Sequence, residues 1–243
     1  MTRALYLEDS YLKECDAVIE LVTGKEVILD QTVFYARGGG QPGDTGKLIG
    51  TDGCEFRIVT VLKKEGKIVH ELDREPKGEI GNPTLKVGDR VTCVVDWARR
   101  YKLMRMHTAA HVLAATMHTE LGVLITGNQL EEDKTRFDFS MQEFDRAKFD
   151  EIVKKANDFL AKDIELKNYV LPREEAMKIP GVVKLAGALP PSINELRIVE
   201  IPGIDVQADG GTHVRNLREV GSISILRLEN KGKDNRRIYF VLV

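Results

Sequence analysis

The sequence predicts an α+β protein: a small N-terminal β-barrel, then an α+β domain with helices packed on a largely antiparallel sheet. Up to about Asp96, short apolar runs alternate with polar residues and are broken by Gly and Asp, the pattern of short strands joined by turns. At Trp97 the spacing of apolar residues becomes helical. Beyond that helix the remaining strands are set apart from the helices, as α+β domains arrange them. These changes divide the chain into residues 1–95 and 96–243.

In the first part, strands are expected over residues 17–22, 26–29, 55–62, 67–72 and 90–95, with a loop over 78–88 around Pro83. From Trp97 to Leu121 an amphipathic helix is expected, because Leu103, Met106, Ala110, Leu113, Met117 and Leu121 recur at three- and four-residue spacing. A strand follows over 135–139, then a second helix over 143–162 with the apolar face Phe144, Phe149, Ile152, Val153, Ala156, Phe159 and Leu160. Strands are expected over 164–170, 196–201, 222–228 and 238–243, with a Gly- and Pro-rich loop over 179–191.

With 42% hydrophobic and 30% charged residues among 243, the chain has the composition of a soluble globular protein able to bury a core. Its 36 basic and 38 acidic side chains leave a net charge of -2, which excludes a surface coated for nonspecific nucleic-acid binding. Any RNA partner must be held by local patches. Cys15, Cys54 and Cys93 are sparse and form no CxxC pair, so a reducing compartment is expected and a disulfide framework is not. No run approaches the ~20 apolar residues of a membrane span, and Met1 is not followed by a signal-peptide pattern. The expected location is the cytoplasm.

His107 and His111 carry the chemistry of the long helix. At about 1.5 Å of rise per residue, side chains at i and i+4 share one face, so two imidazoles can address one ion. A tetrahedral Zn²⁺ site is commonly such a pair plus ligands from a distant loop. The competing reading is two solvated or core histidines, but Thr108, Ala109 and Ala110 leave room at the rings. His118, two turns past His111 and about 10 Å along the axis, is too far to share an ion and reads as structural. His213 closes the run Asp209-Gly210-Gly211-Thr212-His213. That run is either a Gly-Gly turn leading into a strand or a turn that aims Asp209 and His213 at one point. Asp205 is a weaker candidate for the same duty as Asp209.

Two further elements remain open. The triple glycine Gly38 to Gly40, followed by Gln41 and Pro42, is either a linker or a place of close backbone approach to another domain or a ligand. Thr32 and Gln41 could then offer hydrogen bonds. The run lacks the Gly-Lys-Ser/Thr ending of a phosphate loop. The cluster Arg99, Arg100, Lys102 and Arg105, and the later group from Arg215 to Arg237, read either as solvated faces or as the approach for a polyanion.

In this order the elements resemble the editing region of alanyl-tRNA synthetase and its freestanding AlaX relatives. The matching segments are TVFYARGGGQPGDTG at 32–46, RMHTAAHVL at 105–113, RFDFS at 136–140, GGTHVRN at 210–216 and NRRI at 235–238. The resemblance spans nearly the whole chain and implies a freestanding, medium-length member with both the barrel and the editing domain. It implies an aminoacyl-tRNA deacylase, a metal-dependent ester hydrolase acting on mischarged tRNA(Ala). The substrate this implies is chiefly Ser-tRNA(Ala), with Gly-tRNA(Ala) left open as another, while Ala-tRNA(Ala) would be spared. It implies Zn²⁺ on His107, His111 and His213, with Asp209 as the fourth position. Thr32 would read the serine hydroxyl, with Gly39, Gly40, Gln41, Gly210, Gly211 and Thr212 as further substrate-binding positions. Arg99, Arg100, Lys102, Arg105 and Arg215 would contact the tRNA. No DNA or membrane partner is implied, and a monomer or small homo-oligomer is expected.

One departure stands out. The family pattern usually reads Cys-Gly-Gly-Thr-His, and this chain has Asp209 in place of the cysteine. The carboxylate then ligates the ion, bonds a water on it, or leaves a weakened site, since losing a thiolate lowers affinity for Zn²⁺. Asp209 also motivates two alternatives: a related tRNA-binding module that has lost catalysis, and a metal-dependent hydrolase of a small ester or amide.

Overall fold

The computed structural model describes residues 2–76, 84–141, 145–182 and 194–243. Much of the expected loops over 78–88 and 179–191, and Glu143 and Phe144 of the expected second helix, lie outside the described residues. The chain divides into two compact units, Met1–Lys102 and Leu103–Val243.

In the first unit the strands are β1 (Arg3–Ala4), β2 (Glu14–Thr23), β3 (Glu26–Leu29), β4 (Gln31–Thr32), β5 (Gly46–Gly50), β6 (Glu55–Lys64), β7 (Lys67–Leu72) and β8 (Arg90–Val95). Six of them close a barrel in the order β2-β3-β7-β6-β5-β8, and β1 pairs with β4 in parallel. Alternation explains which faces turn inward: Val91, Cys93 and Val95 of β8 are buried, as a period of two requires. Along β6, Phe56 and Ile58 point inward, and then Val61 does. The parity changes at a register shift between Ile58 and Thr60, a bulge of the kind that bends strands to close a barrel. Strand β5 escapes sequence detection because only Leu48 between its two glycines is buried. Its Gly46 is required by closeness, since a Cβ there would collide with the Val94 carbonyl and the Phe34 ring. The cysteines are free thiols, although Cys15 and Cys93 are paired across β2 and β8.

The triple glycine forms a tight turn rather than a linker. Gly38 and Gln41 exchange backbone hydrogen bonds of 3.2 and 2.9 Å, and the central residues Gly39 and Gly40 have φ of 55° and 87°. Two consecutive positive φ values are what a primed hairpin turn demands and what glycine supplies. Nearby, Asp44 accepts the Tyr35 N–H at 2.7 Å and the Arg100 guanidinium at 2.9–3.0 Å. Arg100 also donates to the carbonyls of Ser10 (3.0 Å) and Val33 (2.7 Å) and is fully buried. This overturns the expected role of Arg100 in phosphate contact: its donors are spent inside the first unit.

Thr32 is also fully buried, its hydroxyl 2.8 Å from His70 Nε2. His70 Nδ1 lies 3.1 Å from the Val27 carbonyl. A carbonyl only accepts, so Nδ1 carries the proton and Nε2 accepts from Thr32. Burial lowers the His70 pKa to about 4. The ring is therefore neutral when folded but protonates near 6.5 once unfolded, so the unfolded chain binds more protons between those values. Stability is then complete above about pH 6.5 and is lost as pH falls toward 4. We expect acidification from pH 7 to 5 to remove ~2 kcal/mol through this group. His70→Gln should flatten that part of the profile in urea unfolding, and identical pH slopes for the two proteins would refute the assignment.

The second unit begins within α1 (Trp97–Leu121). Asp96 accepts the Arg99 N–H at 3.3 Å ahead of the helix, and Gly122, at φ 67°, ends it with its N–H on the His118 carbonyl. The expected single apolar stripe is corrected: every residue from Met106 to Met117 is buried. The residues between the large apolar positions are Ala, Thr and His, which bury without adding to an apolar period.

The other elements are β9 (Ile125–Leu130), β10 (Thr135–Ser140), α2 (Arg146–Leu160), β11 (Lys167–Pro172), α3 (Arg173–Ala176), β12 (Glu195–Ile201), β13 (Asp205–Ala208), β14 (Ile223–Asn230) and β15 (Asn235–Leu242). They form two antiparallel sheets, β14-β15-β10-β9 and β11-β12-β13. The RFDFS and NRRI segments are neighbours across β10 and β15, with Asp138 opposite Arg237. That pair is joined by bonds of 2.6 and 2.8 Å, while Phe137, Phe139, Ile238 and Phe240 turn into the core. Helix α2 is capped by Asp145, buries Phe149, Ile152, Ala156 and Leu160, and is tied to β14 by Asn157, which bonds both backbone groups of Ile223. The strand expected over 164–170 starts only at Lys167, because Glu165 instead makes an isolated bridge to Asn216. Among the described residues no helix is long and apolar enough to cross a membrane.

Candidate metal centre

The structure brings His107 and His111 of α1 together with Asp209 and His213, which follow β13. Their candidate ligand atoms all lie within 4.8 Å of one another. The ring centroids are 5.0 Å apart for His107 and His111, 4.4 Å for His107 and His213, and 4.7 Å for His111 and His213. Asp209 Oδ2 is 2.9 Å from His213 Nε2, and Oδ1 is 4.0 Å from His107 Nε2. The group lies wholly within the second unit.

The loop reaches this geometry through backbone restraints. The Arg197 side chain on β12 donates from one nitrogen to the carbonyls of Asp209 (3.0 Å) and Gly211 (3.1 Å). The Asp209 N–H returns to the Arg197 carbonyl, and the Gly211 N–H to Asp209 Oδ2 at 2.8 Å. A Cβ on Gly211 would overlap the His107 ring, so glycine is required by closeness here. Asn216 then caps the turn Leu217–Glu219 in a reciprocal box with Glu219, which accounts for the asparagine ending the GGTHVRN segment.

Burial, the largest influence, drives His107 well below the usual histidine range and His213 down to about 4. Burial would raise Asp209, but the three imidazoles outweigh it and hold the carboxyl well below its usual range. Divalent ions bind such side chains with the carboxylate ionised and the imidazoles neutral, so an ion at this cluster would displace any proton the rings share with Asp209. The donor set of three nitrogens and one oxygen fits Zn²⁺ and other borderline divalent ions.

Three partners of the ligands were not assigned from sequence as they stand. Asp205, weighed there as a ligand, accepts from His111 Nδ1 at 2.9 Å and from Gln207 at 2.8 Å. Thr108 Oγ1 lies 3.1 Å from His213 Nδ1. Arg197 gave no signal, being one of three charged residues in the strand Glu195–Ile201. His118 takes the structural place expected of it, with Nδ1 on the Val123 carbonyl at 3.0 Å. Of the basic residues, Lys102 and Arg215 are exposed; Arg99 donates to the Gly43 carbonyl and Arg105 to that of Val220.

Residues 6–99 match the family model for class II (A) tRNA synthetases, and residues 196–239 match the second additional domain of threonyl and alanyl tRNA synthetases. The alanyl-tRNA editing protein AlaX-M of Methanosarcina barkeri is 50% identical over 246 residues, covering 100% of both chains. The chain belongs to the AlaX-M family of alanyl-tRNA editing proteins. The AlaX-M of Saccharolobus solfataricus is 46% identical over 243 residues, spanning 100% of this chain and 99% of its own. Alanine–tRNA ligase of Pyrococcus abyssi is 39% identical over 243 residues, 98% of this chain but 26% of the ligase. The barrel and the four-residue cluster are thus features of a member of this family.

Proposed function

We propose that this chain edits tRNA(Ala) in trans, hydrolysing Ser-tRNA(Ala) and, second, Gly-tRNA(Ala), while sparing Ala-tRNA(Ala), with Zn²⁺ held by His107, His111, His213 and Asp209. The observation that carries the metal assignment is the convergence of those four side chains; family membership carries the editing. Editing of this kind is hydrolysis of an ester, so the chain is an aminoacyl-tRNA deacylase. Water attacks the aminoacyl carbonyl, the bond to the ribose oxygen breaks, and amino acid and tRNA separate. His107, His111, His213 and Asp209 would hold a divalent ion, which would supply Lewis-acid polarisation for the hydrolysis.

The chain's own groups do the rest. Arg197 holds the ligand-bearing loop, and burial, which lowers their pKa, keeps the His107 and His213 rings neutral at physiological pH. Thr32 is the proposed reader of the serine side chain. Its proton is directed to His70 Nε2, and its oxygen already accepts the Phe34 N–H at 3.1 Å. The hydroxyl therefore offers a further partner only a lone pair, which a serine O–H can use and an alanine methyl cannot. Gly39, Gly40 and Gln41 in the tight turn, and Gly210, Gly211 and Thr212 in the metal loop, are the further substrate-binding positions of this reading. Exposed Lys102 and Arg215, together with Arg99 and Arg105, are the phosphate contacts of this reading; Arg100 is not among them.

The test is single-turnover deacylation by the zinc-loaded protein. Ser-tRNA(Ala) should be hydrolysed, Ala-tRNA(Ala) should persist, and Thr32→Val should lower the Ser rate by about 10- to 100-fold, the worth of one hydrogen bond at a dry site. Tight binding of tRNA without turnover, unaffected by His107→Ala, would instead favour the non-catalytic module that Asp209 suggests.

A further inference from the structure

Two of the three clustered histidines have their outer ring nitrogen engaged by a group whose hydrogen-bonding role is fixed, and this fixes the rings. The Thr108 hydroxyl has one proton, and it goes to the Met104 carbonyl one turn back, at 3.0 Å. Toward His213 Nδ1, at 3.1 Å, that oxygen can only accept. It also accepts the Val214 N–H at 3.3 Å. With the Thr108 proton so placed His213 carries its own on Nδ1, and its Nε2 lone pair then meets Asp209 Oδ2 at 2.9 Å, a contact between two acceptors that a cation between them would relieve. His111 is held in the same sense from another element. Its Nδ1 is 2.9 Å from Asp205 Oδ2, and that oxygen is itself steadied by the Gln207 side-chain amide at 2.8 Å. A carboxylate accepts, so His111 too is protonated on Nδ1 and presents Nε2. Thr108 and Asp205 are buried, so water does not compete for these bonds.

We propose that Thr108 and Asp205 are positioning residues that favour the Nδ1–H tautomer of His213 and His111, so that both Nε2 lone pairs are presented to one divalent ion. This rests on the reading of the cluster as a metal centre. Thr108 sits between the two helix histidines in sequence and serves the distant one. The HxxxH spacing thus supplies two ligands and also the acceptor that sets the third. Partners of this kind orient the ring and raise its basicity, and losing one typically weakens metal affinity by about 10- to 100-fold.

The experiment compares wild type with Thr108→Val, Thr108→Ser, Asp205→Leu and Asp205→Asn. Zinc affinity is measured by chelator competition, and histidine tautomers by ¹⁵N imidazole shifts of the zinc-free proteins. Thr108→Val should bind zinc about 10- to 100-fold more weakly and release His213 from the Nδ1–H form, while Thr108→Ser restores both. Asp205→Leu should do the same for His111, with Asp205→Asn falling between because its amide oxygen still accepts. The serine and asparagine variants keep the comparison intact where the apolar ones fail to fold. Wild-type tautomers other than Nδ1–H, or Thr108→Val binding zinc as tightly as wild type, would overturn the proposal. Wild-type protein with the stated tautomers but no affinity for zinc would instead overturn the metal-centre reading.

Discussion

His213→Ala is expected to lose stoichiometric zinc and to lower Ser-tRNA(Ala) deacylation by about 10²- to 10⁴-fold, the several kcal/mol that Lewis-acid stabilisation provides. The argument rests on placement. His213 stacks on His107 at 4.4 Å and is 2.9 Å from Asp209, so its removal opens one corner of a four-donor cluster. Gly211→Ala should produce the same phenotype by a different route. Its Cβ would occupy the space of the His107 ring, forcing either ring or loop away, although no ligand is deleted. His118→Ala is the control. It lies on the same helix but bonds only the Val123 carbonyl in what the structure shows of its ring, so zinc content and turnover should survive. Metal analysis of the purified proteins beside deacylation rates decides the matter. A His213→Ala protein that keeps one zinc and normal turnover would rule out the cluster as the active centre.

The contrast between these histidines shows what a sequence can carry. His107 and His111 were readable because helical spacing is a local geometric fact, and the long helix itself was expected with the bounds it has. Asp209 and His213 stayed open between a plain Gly-Gly turn and a ligand loop on their residues alone, and became readable only through the GGTHVRN resemblance. Thr108 and Asp205 were visible as residues but not as roles. Their meaning lies in which acceptor faces which ring across about a hundred positions of chain, and no periodicity encodes that. The barrel was legible where strands alternate and invisible at Gly46–Gly50, and β9 and β13 of the second unit were invisible for the same reason, since one or two apolar positions carry a whole strand. Charge misled for a related reason. A cluster of arginines in sequence looks solvated until the fold shows which of them is spent inside.

Arg100 is that residue, and its replacement is the second large effect. Arg100→Met would leave the Asp44 carboxylate buried beside the Tyr35 N–H alone, and the Ser10 and Val33 carbonyls without their donor. Removing one partner of a buried pair costs about 3–5 kcal/mol, because the remaining charge stays desolvated. Arg100→Lys should recover only part of this, since a single ammonium cannot span the carboxylate and two carbonyls that the planar guanidinium joins. Urea unfolding of the three proteins measures the loss directly. A phosphate-binding arginine would behave in the opposite way. Stability would stay within about 0.5 kcal/mol, while tRNA affinity would fall and its dependence on salt would become shallower by about one counterion. Because Asp44 also receives the backbone of Tyr35, just before the glycine turn, loosening Arg100 should disturb that turn as well. Any loss of editing in Arg100→Met should then combine the unfolded fraction with the disturbance of that turn, while the salt dependence of tRNA binding by the folded protein should stay that of wild type.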